Sequence, residues 1–393
     1  MDTNPVIEML GRRLRLAVIG GGPGSFIGAM HRAAARIDDR YELVAGALSS
    51  DPERSRAAAV AIGIEPVRAY PDAYALIAAE ADRDDGADVV AIMTPNDSHH
   101  RYALGALRHG FDVICDKPIT NTFAEARAID DMAESSGLVF CLTHNYTGYP
   151  MVRQAREMVQ AGLIGRVNQI HVEFMQDWMV PDDVAEAEHV KWRLDPSKSG
   201  ATSCTGDIAT HAHHLATFVS GLEMTDLRAE MHVCGAPKAL EDTVIMMTRF
   251  EGEIPGTLIA TRLASGNRGG LRVRVYGSEG GIEWDLEKPD YLKYNRYGDP
   301  DAILSRGQGS GVTPRVERFV RLARGFSEGV IEAWANLYVE FAMAVAARRD
   351  GIQLPPDYLD FPTVADGVKG VRFVDAAVQS NRAGGAWVTI SPV

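Results

Sequence analysis

Three short stretches of this 393-residue chain hold side chains able to move a proton and a hydride together: Thr94-Pro95-Asn96, Asp116-Lys117-Pro118, and residues 207–214 with Asp207, His211, His213 and His214. A secondary alcohol releases hydride only if its hydroxyl proton leaves too, so the chemistry needs a base near neutral pKa and a cation to steady the developing alkoxide. His211 and Lys117 suit those two roles. Asp207 and His211 stand at i and i+4, on one face of a helix, where the carboxylate would orient the imidazole and raise its pKa. Taken singly, each residue also has a plainer reading, with Lys117 as a turn lysine and Asp207 as the N-cap of a helix ending near Gly221. The three histidines would suit a metal, but such ligands would compete with proton transfer and no strong acidic partner lies near in sequence, so no metal is expected. Asn145, Tyr146, Trp192 and Arg193 supply aromatic and polar surface that fits a polyol pocket as well as it fits packing.

A hydride needs a carrier. Gly20-Gly21-Gly22-Pro23-Gly24-Ser25 follows an apolar run at 14–19, and Gly28 opens an alanine-rich helix. Glycine lets the backbone turn sharply and approach a pyrophosphate, while the helix N-terminus offers unpaired N–H groups and a positive dipole end, so Ser25, Phe26 and Ile27 join the glycines as candidate cofactor contacts. The last glycine comes six residues after Gly22 instead of three, which makes the loop longer than the usual fingerprint. Ser49 and Ser50 stand where a carboxylate often binds the adenosine ribose, and Asp51 reads as a cap for a helix starting at Pro52. Without an acid at that place a 2′-phosphate is not repelled, and Arg54 or Arg56 would reach one. NAD is the expected cofactor, with NADP possible.

Elements must bring these residues to one edge. Short runs rich in Val and Ile at 14–19, 41–48, 88–94 and 111–115 read as buried parallel strands, and the alanine- and leucine-spaced stretches at 52–62, 70–80 and 98–109 read as the helices between them. A helix at 121–136 and a strand at 138–143 continue the alternation of a doubly wound α/β sheet, whose strand ends bind ligands. From about residue 146 the rhythm changes to antiparallel-looking runs at 167–174, 243–250, 257–263 and 271–276 joined by glycine-containing turns. The expected division is a dinucleotide-binding domain at 1–145 and an α+β substrate-binding and oligomerisation domain at 146–393, built on a largely antiparallel, open-faced sheet. The glycine-containing stretch 296–313 reads as a long surface loop.

Composition removes several classes of function. Fifty-three acidic against 40 basic residues give a net charge of −13, which repels nucleic acid and anionic membranes. No signal-like segment opens the chain and no membrane-length apolar run is evident, and four cysteines without C-x-x-C spacing fit reduced thiols, so a cytoplasmic protein is expected. An antiparallel sheet with too few helices to cover both faces leaves an apolar face for a second copy of the chain. Strands at 243–250 and 257–263 would supply it through Val244, Met246, Phe250, Leu258 and Ile259.

Together these segments resemble the family of glucose-fructose oxidoreductase, inositol dehydrogenase and rhizopine-catabolism proteins, Gfo/Idh/MocA, over nearly the whole chain. Thr94-Pro95-Asn96 with His99 is similar to the family's T-P-N-x-x-H segment beside the nicotinamide, Asp116-Lys117-Pro118 to its E-K-P motif, and Asp207-Ile208-Ala209-Thr210-His211 to its D-I-G-x-H. Residues 161–167 resemble the G-x-I-G segment that enters the second domain. The resemblance implies a Rossmann domain, a catalytic role for Lys117, Asp207 and His211, cofactor contacts from Asp116 and Lys117, and a sugar, cyclitol or glycoside as substrate. It also implies a homodimer or homotetramer assembled through the C-terminal sheet. Asp116 for glutamate and Ala209 for glycine depart from the pattern but leave the catalytic groups in place. A NAD-dependent glycosidase begins with the same hydride abstraction and stays open as an alternative; a dinucleotide-binding sensor would have no need of Lys117, Asp207 and His211 together.

Overall fold

The computed structural model describes residues 4–307, 312–355 and 358–390. The chain forms two compact units, one of Met1–Asn145 with Ile331–Val368, the other of Tyr146–Val330 with Lys369–Val393. A single cut at 145/146 therefore leaves out the return of 331–368 to the first unit.

The first unit alternates strand and helix: α1 (Pro5–Leu10), β1 (Leu14–Gly20), α2 (Phe26–Ile37), β2 (Tyr41–Ala47), α3 (Pro52–Ala61), α4 (Ala73–Ala81), β3 (Val89–Met93), α5 (His99–Arg108), β4 (Asp112–Cys115), α6 (Phe123–Ser136) and β5 (Phe140–Leu142). The five strands are parallel in the order β2-β1-β3-β4-β5. β3 and β4 are buried at every position, which is why they read as unbroken apolar runs. Because β1 has β2 on one side and β3 on the other, the chain order switches beside β1, and the glycine loop leaves β1 at that switch point.

The second unit contains α7 (Pro150–Gln160), β6 (Val167–Met175), α8 (Glu188–Leu194), α9 (Pro196–Ser199), α10 (Thr210–Ser220), β7 (Met224–His232), β8 (Thr243–Phe250), β9 (Ile254–Thr261), β10 (Gly270–Gly277), β11 (Gly280–Asp285), β12 (Tyr291–Arg296), β13 (Ala302–Ser305) and α11 (Pro314–Glu317). With β14 (Val388–Thr389) they make a nine-stranded sheet ordered β13-β12-β11-β10-β6-β9-β8-β7-β14, antiparallel except where β6 runs beside β9. β13 lies inside the stretch expected to be a loop, paired with β12, and residues 308–311 of that stretch lie outside the described residues. Alternation along β8 buries Val244, Met246 and Phe250 and exposes Ile245 (49%) and Met247 (53%). Val244, Met246, Phe250 and Leu258 thus belong to the core. The outward apolar residues of β8 are their neighbours, one register step away.

Two long helices follow, α12 (Val330–Asp350) and α13 (Val364–Arg382). α12 is long and apolar enough to cross a membrane by length and composition, yet 67% of its most apolar stretch is buried within the protein. Trp334, Tyr338, Phe341 and Val345 are buried, and Arg348 and Arg349 at its end pair with Asp112 and Asp88 of the first unit. Removing such a side chain from water stabilises by roughly 1.5–3 kcal/mol, so α12 is an integral part of the first unit's core.

Candidate functional site

In the first unit every candidate group sits at the C-terminal ends of the strands. Gly20, Gly21 and Gly24 have φ of +81°, +66° and +86°, values that favour glycine. α2 begins at Phe26, with Ser25 as N-cap, its Oγ accepting from the Gly28 amide at 3.1 Å. Gly28 is therefore in the first turn of the helix. A Cβ at Gly28 would lie 2.5 Å from the Gly21 carbonyl carbon, one at Gly22 2.7 Å from Leu48 O, and one at Gly20 2.6 Å from Met93 O. Glycine at these positions lets α2, β2 and β3 close on the loop, while a Cβ at Gly24 would meet nothing within 4 Å. Arg32 braces the loop from α2 by donating to Gly21 O. Packed glycines behind, open space in front and a helix N-terminus form a cradle that fits the pyrophosphate of NAD.

Around it, Asp51 caps α3 by accepting from the Arg54 amide at 2.8 Å, and Ser49 Oγ accepts from the Asp51 amide. Ser49 is part-buried, and Ser50, Arg54 and Arg56 are exposed. The loop with Thr94, Pro95 and Asn96 follows β3 and is tied down by His99, whose ring is fully buried between Thr94 O (2.8 Å) and Pro118 O (2.9 Å). His99 accordingly supports the site from behind, and both its ring nitrogens are committed to the protein. Asp116 turns inward as well: its carboxylate accepts from Thr143 Oγ1 at 2.6 Å and meets His31 Nε2 at 3.0 Å, while His31 Nδ1 meets Tyr338 Oη at 2.7 Å. Burial pulls the Asp116 carboxyl up, and His31, Thr143 and His99 outweigh it, so the carboxyl ends below its ordinary range. Lys117 follows at the end of β4, part-buried, with a cis bond to Pro118. Asn145 closes the first stretch of this unit, buried, with Nδ2 as a donor that has no partner among the described residues. His31, Thr143 and Tyr338 were not foreseen; only their polar chemistry amid apolar neighbours marks them in the sequence.

In the second unit the chemistry gathers around Asp207. Thr205–Ala209 form a π-turn running into α10, a distortion that recurs at functional sites, and the wider turn still keeps Asp207 and His211 on one side. Tyr146 meets His211 edge-on with ring centroids 4.7 Å apart, and Phe174 of β6 flanks both rings. Burial, then the charge of Asp207, hold the Tyr146 hydroxyl well above its ordinary pKa. Arg193 reaches to 3.8 Å of Asp207 and lies over Trp192, so both residues of α8 belong to this cluster. A second cation was missed in the sequence: Arg262, after β9, donates to Asp207 Oδ2 at 2.6 Å. His213 stacks on Phe373 and is taken up by packing. Among the described residues, no group of three or more His, Cys, Asp or Glu side chains is arranged to hold a metal ion.

A parallel sheet with a glycine cradle at its switch point, joined to a unit bearing a carboxylate, an imidazole and aromatic walls, defines a dinucleotide-dependent oxidoreductase. Residues 14–160 match the oxidoreductase family with an NAD-binding Rossmann fold, and residues 152–283 match the GFO/IDH/MocA C-terminal domain. The oxidoreductase YfiI of Bacillus subtilis strain 168 is 32% identical, over 97% of this chain and 98% of its own. The levoglucosan dehydrogenase of Pseudarthrobacter phenanthrenivorans is 26% identical, over 97% and 99%. An inositol dehydrogenase homolog from Azotobacter vinelandii, solved with NADH and myo-inositol, superimposes with a TM-score of 0.89 at 34% identity, covering 97% of this chain and 98% of that one. The chain belongs to the Gfo/Idh/MocA family and is an NAD-dependent dehydrogenase.

Proposed function

We propose that this dehydrogenase oxidises a secondary hydroxyl of a sugar, cyclitol or glycoside, or reduces the corresponding ketone. The observation that carries the reading is the cluster of Asp207, His211 and Tyr146 in the second unit, a polar floor with aromatic walls suited to a polyol. When bound, NAD supplies the hydride acceptor. His211 takes the hydroxyl proton, Asp207 orients the imidazole, and the Lys117 ammonium steadies the alkoxide as the C–H bond breaks. Asn145, with its unpartnered buried Nδ2, offers a donor that a substrate hydroxyl would satisfy. In the second unit Trp192 and Arg193 stand beside Asp207 and suit contacts to substrate hydroxyls. Relatives that act on levoglucosan or bind myo-inositol support this substrate class.

A panel of polyols, cyclitols and glycosides, followed by absorbance of the reduced cofactor, tests the proposal. Reduction of NAD by at least one intact polyol supports it. Release of aglycone without net cofactor reduction would instead make the enzyme a glycosidase working through transient oxidation. We further propose a homodimer or homotetramer assembled through the outward sheet face that carries Ile245 and Met247. The four free cysteines favour a reducing, cytoplasmic compartment.

A further inference from the structure

We propose that Arg262 is a positioning residue of the active site, a buried guanidinium that fixes the Asp207 carboxylate so that it can orient His211. The inference rests on the reading of Asp207 as part of the catalytic cluster. Asp207 lies in the π-turn, where the irregular backbone does not by itself aim the carboxylate; Arg262 supplies the missing constraint. Its main chain is held at the end of β9, with N donating to Asp242 O at 3.0 Å and O accepting from the Met179 amide at 3.2 Å. Its side chain is 0% exposed, against 28% for Asp207. One arm of the guanidinium donates to Ser203 Oγ at 2.6 Å, and the other to Ser203 O at 3.2 Å and Asp207 Oδ2 at 2.6 Å, with the plane beside the Trp178 ring at 5.3 Å. Ser203 is itself fixed, because the buried Glu241 carboxylate accepts from the amides of Ser203 (3.0 Å) and Thr205 (2.7 Å). A chain of Glu241, Ser203 and Arg262 thus clamps both the π-turn and the acid it carries. Arg193 lies 3.8 Å from the same carboxylate and is about a quarter exposed.

The pairing assigns roles. A guanidinium keeps its charge at every working pH, so a carboxylate bound to it stays ionised and is a poor proton acceptor. Proton transfer then falls to His211, and Asp207 acts by orientation and field. Other titratable or charged groups around Asp207 include Arg193 of α8, the Tyr146 hydroxyl, His211, and the Cys204 thiol, which burial pushes up and which has Glu241 and Asp242 beside it.

The test is the pH dependence of kcat/KM for wild type, R262K, R262Q, D207N and D207N/R262Q, with NAD affinity measured in parallel. R262Q should lose about 10- to 100-fold in kcat, with NAD affinity unchanged, and its acid limb should move to higher pH because removing the guanidinium charge favours protonation of the groups beside it. R262K should restore the wild-type limb and most of the turnover. In the D207N background, R262Q should cost less than about two-fold further, since the partner it serves is already gone. A wild-type acid limb in R262Q, or a full multiplicative loss in the double variant, would overturn the proposal. Should R262Q not fold, R262K decides: a loss of turnover in R262K that persists undiminished in the D207N background would equally overturn it. Normal turnover in D207N would instead overturn the reading of the catalytic cluster itself.

Discussion

Replacing Gly28 by alanine tests the cofactor cradle where it is tightest. Gly28 is helical, so alanine there gains about 1 kcal/mol of helix propensity. Against this, the new methyl would lie 2.5 Å from the Gly21 carbonyl carbon and 2.6 Å from its Cα, and both are backbone atoms without a rotamer to relieve the clash. Restoring ordinary contact requires α2 and the loop to separate by about 1 Å, and overpacking of this kind costs roughly 1–3 kcal/mol. If that strain falls on the loop geometry that NAD requires, affinity drops about 5- to 150-fold. Gly137, the C-cap of α6, is the control: with φ of +64° and no atom within 4 Å of its Cβ position, Gly137→Ala should cost roughly 1–2 kcal/mol of stability through backbone strain and leave NAD alone. Fluorescence titration of NAD alongside thermal melts separates the two. NAD binding by Gly28→Ala within two-fold of wild type, or an equal loss of affinity in Gly137→Ala, would refute the reasoning.

Three further outcomes are expected. Ser49→Asp should lower NADP affinity by roughly ten-fold through a repulsive carboxylate while sparing NAD; a strong native preference for NADP in the same titrations would contradict the choice of NAD. Met247→Glu should shift the protein toward monomer in light scattering after size exclusion without lowering Tm, whereas Met246→Glu should destabilise the fold because that side chain is buried; a monomeric wild type at micromolar concentration would contradict the assembly. Because the folded Asp116 carboxyl titrates below its ordinary value, its contribution to stability is present above the unfolded carboxylate pKa and is lost as pH falls through the lowered folded value. Asp116→Asn should therefore be less stable than wild type near neutrality, with the gap in urea midpoint closing in acid; a constant gap from pH 7 to about 3 would contradict this.

The features legible in the sequence were those with a local signature. β3 and β4 are buried on both faces, so their runs of Val and Ile announced a parallel sheet, and the glycines of the loop announced the turn because a Cβ at Gly20 or Gly22 would strike backbone. Asp207 and His211 were found because their spacing is local. Arg262 was not, because it reaches Asp207 across 55 positions, and nothing near residue 262 distinguishes it from a surface arginine. The same holds for Tyr338, which meets His31 from a helix more than 300 residues downstream. The outward face of β8 was misread for a different reason. Val244 and Met246 alternate with Ile245 and Met247, so both faces are apolar, and period two alone cannot tell which one is core.

The central claim is that a proton and a hydride leave one secondary carbinol with Lys117 and His211 as the working groups. The most direct measurement is turnover of the best substrate of the panel by wild type, Lys117→Ala and His211→Ala, with NAD binding followed in the same preparations. Each variant should stay folded, bind NAD as wild type does, and lose roughly 10² to 10⁴ in kcat. Near-normal turnover in either variant, or no reduction of NAD by any polyol, cyclitol or glycoside, would contradict it.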